Sequence, residues 1–415
     1  MLTATLGTQL LNAAMILVQG RLYVPSSVGY VANVVSFAII LEPICMLQLP
    51  YALPQQISDK RAVQLVAATL LSTLCISLLL GSGALIAYIL LPPRRQTLTM
   101  VLLGIVLMYT IVAFDVTLLW SAREGRFRSL GGQNVTLAAL RALIQLVGGI
   151  ANSSFTWLLL SEGAGRIGAI FAIQPSRLIS VIKQLRPIKI SDIKAVLIEN
   201  WRFPLISVPS TFADNLGGYL PPILITDLYG LQAAGLLFMA QRAVTLPIVL
   251  LTRSTADAIH VRSAQILNER PSDLRSFVLR TSIVLAGVGT VAMGGMAAAL
   301  WILWPLAFSH QWDDARQLAY ELLLPIPIQC VSSPLSRILM STNRQQFKLL
   351  FDATFLVAGT SPLLAWAVGF RLQLHDTVWM LSAGYGVAYI LYYVLIVTAS
   401  LHPLNIKNLG PLDQT

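Results

Sequence analysis

The sequence predicts an all-α polytopic membrane protein of about twelve transmembrane helices, arranged as two six-helix lobes related by a pseudo-two-fold axis along the membrane normal. Three observations carry that prediction. Only 11% of the 415 residues are charged and 56% are hydrophobic, whereas a soluble domain carries about 25% charged residues. The apolar residues fall into runs of about 20 or more, the length that crosses a bilayer. A long polar connection over 176–202 divides those runs evenly.

Twelve runs emerge, each closed by charge or by Pro/Gly punctuation: 1–20, 28–52, 62–92, 97–120, 129–151, 155–175, 203–226, 231–252, 278–307, 317–340, 347–369 and 377–401. The first has no charge between Leu2 and Gly20. It lacks the basic start and small-residue cleavage site of a signal peptide, so it reads as a retained helix. The chain begins close to that helix, and a few upstream residues are expected. The third and ninth runs are over-long and are expected to tilt or to extend past the bilayer.

Lys and Arg orient the bundle. With the N-terminus inside, the inner loops and their flanks hold nineteen basic residues, among them Lys60, Arg61, Arg123, Arg126, Arg128 and Arg202. The outer loops hold five, Arg21, Arg94, Arg95, Arg316 and Arg371. Both termini are therefore expected in the cytoplasm. Trp157, Trp301, Trp304, Trp312, Trp366 and Trp379 fall at outer helix ends, with Trp120 and Trp201 at inner ends. Indole rings favour that headgroup level.

The expected organisation is an N-terminal lobe over 1–175, a cytoplasmic inter-lobe linker over 176–202, a C-terminal lobe over 203–401 and a cytoplasmic tail over 402–415. The halves share an echo. Leu22-Tyr23 is followed by Gly29, and Leu228-Tyr229 by Gly235. Each copy sits at the outer end of the first hairpin of its half. Both halves start inside, so the repeat is parallel.

Composition also excludes functions. The net charge of +10 would suggest nucleic acid in a soluble protein, but here it orients helices, and no nucleic-acid partner is expected. Cys45, Cys75 and Cys330 lie in apolar runs and read as buried thiols. The four histidines are scattered, so no metal site is expected. There is no Gly-x-x-x-x-Gly-Lys-Ser/Thr loop, no His-Glu-x-x-His and no Gly-x-Ser-x-Gly. The outer loops are too short for a catalytic domain. The chain reads as a non-enzyme without a cofactor.

Several stretches resemble one family in order along the chain. They are Arg21 to Gly29, Leu47 to Ala62, Trp120 to Arg128, Phe203 to Ser210, Gly235 to Pro247 with Gln241-Arg242, and Gln311 to Ala315 followed by Ser333 to Ser336. Together they resemble bacterial polysaccharide biosynthesis (O-antigen flippase-like) proteins of the multidrug, oligosaccharidyl-lipid and polysaccharide flippase superfamily. The sequence departs from the family at Leu49-Pro50-Tyr51, where a basic residue is usual, and at Arg166, where relatives tend to be uncharged. The resemblance implies two six-helix lobes around a central cavity in a bacterial inner membrane. It also implies movement of an undecaprenyl-pyrophosphate-linked oligosaccharide between leaflets for polysaccharide, O-antigen or lipopolysaccharide synthesis. Membrane lipids, and a polysaccharide polymerase with chain-length machinery, would be its partners. A small-molecule exporter of the multidrug type is the alternative, and a membrane glycan transferase or polymerase a third.

An ionisable group at bilayer depth costs at least about 2.5–3.5 kcal/mol, so it usually faces a cavity or a partner. Arg141, Arg166, Arg242 and Arg337 lie within predicted helices. Guanidinium pairs with phosphate oxygens through a planar fork, which suits capture of a pyrophosphate head. The competing reading is a structural ion pair with Asp214, Glu42 or Asp115. Arg337 lies near an inner helix end, where it can snorkel. Asp214 and Glu42 are candidates to bind a coupling H+ or Na+, and Asp352 to cap its helix. Pro204, Pro209, Gly217, Gly218, Pro221 and Pro222 cluster in the seventh run. Proline removes a backbone donor, so this helix is expected to bend and to serve as a hinge.

Overall fold

The computed structural model describes residues 2–90, 95–173, 189–342, 344 and 346–401. The tail 402–415, the linker as far as residue 188, and Arg94, Arg177, Lys183, Arg186 and Lys407 lie outside the described residues. Within them the chain is helical and has no strand. The helices are α1 Leu2–Leu22, α2 Pro25–Met46, α3 Asp59–Leu90, α4 Arg95–Arg123, α5 Phe127–Ala151, α6 Phe155–Ile173, α7 Ile190–Glu199, α8 Val208–Tyr229 and α9 Leu231–Glu269. They continue as α10 Leu274–Ile302, α11 Asp313–Glu321, α12 Ile326–Leu335, α13 Arg337–Ser341, α14 Gln346–Ala367 and α15 Leu374–Leu401. Eight described helices are long and apolar enough to cross a membrane, and a bent pair makes a ninth. Backbone groups in lipid must be satisfied within the segment, which is why apolar runs of this length become helices.

The boundaries differ from expectation where local chemistry intervenes. The second run ends at Met46, because Leu47 and Gln48 adopt left-handed backbone at φ 51° and 54°. A short 3₁₀ segment, Leu49–Gln55, follows and carries Pro50 and Pro54. The inner loop expected over 253–277 is mostly helix, since α9 runs for 39 residues to Glu269. Charge ends the membrane-embedded part, but only Pro271 ends the helix. The tenth run is broken: helices over His310–Glu321 and Ile326–Leu339 meet at 61°, beside Pro325 and Pro327. Cys45 and Cys330 are buried as expected, but Cys75 is exposed, because the side of α3 that carries it faces outward. Trp304 and Trp312 are buried rather than presented to an interface.

The described chain forms two compact units, Met1–Met239 with Ala307–Asp313, and Ala240–Leu306 with Asp314–Thr415. In the first, α2 is the most enclosed helix, with Val28, Ala32, Val34 and Ala38 almost fully buried. Its Gly29 lies against the start of α9: a Cβ there would collide with the Leu231 carbonyl oxygen, and one on Gly235 with that of Pro25. Small residues let helix backbones approach this closely. In the second unit, Leu274, Val278, Leu335, Ile338 and Ile396 pack as one core, and Phe351 stacks on Tyr392 with ring centroids 4.1 Å apart.

Candidate functional site

Proline placement organises the seventh run. Pro204 lies in a π-helical turn, Phe203–Ser207, and Pro209 follows at the start of α8. Such turns widen the helix where a proline ring would clash with the preceding carbonyl. Gly217, Pro221 and Pro222 are buried inside α8, with Gly218 beside them. Proline acts on the facing helix too. Pro43 in α2 has no N–H for the carbonyl four residues earlier, that of Ile39. Asn215 Nδ2 donates to that oxygen at 2.8 Å. Farther along, Asn33 Nδ2 donates to Thr226 Oγ1 at 2.7 Å. The hinge candidates thus sit on a helix tied to α2 by side-chain hydrogen bonds.

Within the first unit, Arg141 of α5 and Arg166 of α6 converge on one carboxylate, Glu162. Arg141 Nη2 donates to Glu162 Oε1. Arg166 Nη1 donates to Glu162 Oε2 at 3.1 Å and to the Glu162 carbonyl oxygen at 2.6 Å. Glu162 is 2% exposed, and the two arginine side chains are 15% and 12% exposed. Arg141 Nε is buried without a hydrogen-bond partner among the described residues. Gly165 makes the geometry possible, because a Cβ there would lie 2.8 Å from Arg141 Cγ.

Two more carboxyls approach this triad. Glu42 of α2 and Asp115 of α4 lie beside each other, and Arg166 lies close to both. Two guanidiniums and three carboxyls thus gather in one polar cluster. A neutral polar ladder continues from the triad. Gln19 Nε2 donates to Gln145 Oε1 at 2.9 Å, Gln145 Nε2 to Ser161 Oγ at 2.8 Å, and Tyr23 Oη to the Gln145 carbonyl at 2.7 Å.

The structure therefore brings Arg141, Arg166 and Glu42 into one network. Asp214 is half-buried on α8 of the same unit. Arg242, half-buried on α9, and Arg337, exposed at the start of α13, belong to the second unit. Asp352 does not act as a simple cap: it is fully buried and takes both carboxylate oxygens to Lys348 Nζ at 2.8 Å. Sequence reasoning missed Glu162, Gln19 and Gln145. For Glu162 a signal exists, since Glu162 and Arg166 stand at i,i+4, a spacing that pairs charges on a helix. Nothing local marks the glutamines.

The fold is shared with solved structures of polytopic membrane proteins. An inward-facing multidrug resistance MATE family transporter of the MOP superfamily is similar over 95% of each chain, with a TM-score of 0.67 at 16% identity. The lipid II flippase MurJ, in an inward closed conformation, matches 96% of this chain and 89% of its own, with a TM-score of 0.62 at 12% identity. A MATE protein in complex with MaL6 matches 96% and 94%, with a TM-score of 0.51 at 17% identity. No protein-family model and no curated protein sequence matches the chain. At these identities the shared property is the fold.

Proposed function

We propose that the chain is a flippase. It would move an undecaprenyl-pyrophosphate-linked oligosaccharide across the bacterial inner membrane for polysaccharide or O-antigen synthesis, by alternating access of two six-helix lobes. The observation that carries this reading is the pair of buried arginines on Glu162. Two guanidiniums share one carboxylate, and Arg141 Nε retains an unused donor. An arriving pyrophosphate can replace part of the carboxylate's bonding through charge-assisted hydrogen bonds. Arg242 and Arg337 are the proposed second set of anion contacts. Glu42, beside Asp115, and Asp214 are the proposed coupling groups for H+ or Na+. Polysaccharide polymerase and chain-length machinery are the proposed downstream partners.

The fold shared with a lipid II flippase supports the reading. The fold shared with a multidrug MATE transporter supports a second one, a small-molecule exporter. A cavity that takes organic cations should be acidic, and the arginines oppose it.

Gene deletion tests both. The flippase reading expects loss of surface polysaccharide and accumulation of lipid-linked repeat units on the inner leaflet, restored by wild-type protein but not by R141A or R242A. Intact surface polysaccharide, with new sensitivity to cationic drugs, would favour the exporter.

A further inference from the structure

The second unit holds another buried carboxyl that takes no part in the Glu162 network. Glu321 is the last residue of α11, directly before the break at 322–325. Its Oε1 lies 2.7 Å from Nδ1 of His375, near the start of α15. Its Oε2 is buried and has no hydrogen-bond partner among the described residues. The main chain of the same residue is held as well, since Ser382 Oγ donates to the Glu321 carbonyl at 2.6 Å. Thus α15 grips the end of α11 at both side chain and backbone.

This arrangement is costly without a bound cation. A buried carboxylate with an unsatisfied oxygen loses hydration that nothing replaces. The C-terminal end of a helix adds partial negative charge. Ends of broken helices are where transporters place small cations for that reason. The Glu321 side chain is 4% exposed but that of His375 is 36% exposed, so the imidazole connects the buried carboxyl to solvent.

We propose that Glu321 and His375 form a proton-binding site that decides whether the end of α11 is held against α15. The imidazole selects a proton over a metal cation. It already occupies one carboxylate oxygen, and no group of three or more His, Cys, Asp and Glu among the described residues could hold a metal ion. With the proton bound, His375 is an imidazolium and its bond to Glu321 is charge-assisted. The proton leaves to solvent through the exposed ring. The remaining neutral ring donates more weakly, and the carboxylate then faces the helix end uncompensated. The grip on α11 loosens and the broken span is freed to move.

The surrounding charges support this sign. Asp376, the residue after His375 on α15, places a further negative charge beside the pair. On α11 itself Arg316 lies more than one turn earlier. Helix α10 carries charge only at Arg275 and Arg280, near its start, and α12 has Cys330 as its one titratable side chain. Arg371 stacks on Trp366 at 4.4 Å, and Lys348 is paired with Asp352 on α14. This site does not rest on the identity of the cargo.

The test is hydrogen–deuterium exchange of the full-length protein in lipid nanodiscs, corrected for intrinsic exchange rates. Protection of the segment around 322–325 should fall about tenfold as pH is raised and the imidazolium loses its proton. H375Q keeps a donor but cannot take the proton, so its profile should be flat. H375K, which stays charged, should remain protected throughout, and E321Q should also be flat. Adding Na+ at constant pH should change nothing. A flat wild-type profile, an H375Q profile that still follows pH, or protection that follows Na+ would each overturn the proposal.

Discussion

Gly29 of α2 and Gly235 of α9, 206 positions apart, press their backbones together. The contact is reciprocal. A Cβ on Gly29 would strike the carbonyl of Leu231, and a Cβ on Gly235 would strike that of Pro25. Both obstacles are backbone, which cannot move aside as a flexible side chain can. G29A and G235A are each expected to cost about 1–3 kcal/mol through overpacking. Thermal unfolding followed by size-exclusion chromatography in detergent checks this. A melting point unchanged in both variants would contradict the close approach.

Asn215 supplies the donor that Pro43 withholds from the Ile39 carbonyl. N215L removes that donor and leaves the oxygen unmet inside the bundle, at a cost of about 1–2 kcal/mol. In the P43A background the backbone N–H returns, so the same substitution should cost less. A double-mutant cycle on thermal midpoints measures the difference. Equal costs in both backgrounds would refute the link between the two residues.

Glu162 pairs with two arginines at once. E162Q leaves two buried guanidiniums sharing a neutral amide, and a broken buried pair costs about 3–5 kcal/mol. Substituting Arg166 as well should recover part of that loss, because the repulsion disappears with the charge. The readout is again the midpoint of E162Q, R166Q and the double variant. A double variant as unstable as the sum of its singles would exclude the interaction.

Gly165 governs where Arg141 can go. In G165A the added carbon meets Arg141 Cγ at 2.8 Å and Leu137 Cδ1 at 3.3 Å. The arginine side chain can yield, so folding should survive while its guanidinium leaves Glu162. Transport of a lipid-linked oligosaccharide in proteoliposomes should fall several-fold. G163A is the control, since its Cβ would make only an ordinary 3.9 Å contact with Thr110 Cγ2. Equal transport in the two variants would separate Arg141 placement from function.

Much of the architecture is legible because the bilayer imposes it. Runs of apolar residues long enough to span must be helices, and the long described helices follow those runs, whereas Ile190–Glu199 falls within the expected linker. What escaped the sequence is where helices continue or break. Helix α9 continues because the inner charges at Arg262 and Glu269 are compatible with helix, and hydropathy reports depth rather than backbone. The tenth run breaks at 322–325 although Glu321 to Pro327 contains only one charge. The π-helical turn at Phe203–Ser207 was visible only as a proline pair, which implies a bend without its form.

The polar network divides the same way. By itself the sequence determined that this protein resides in a membrane, that it is helical, and that a few arginines and carboxyls sit at apolar depth. Those follow from composition and local periodicity. Only the tertiary structure decided that Arg141 and Arg166 share Glu162, that Glu42 meets Asp115, that Asn215 serves Ile39, and that two scattered residues, Glu321 and His375, form a pair. Each is a contact between different helices or between turns of one. Such partners are set by how helices rotate and approach, and that depends on small residues such as Gly29, Gly165 and Gly235 whose role appears only once another backbone lies against them.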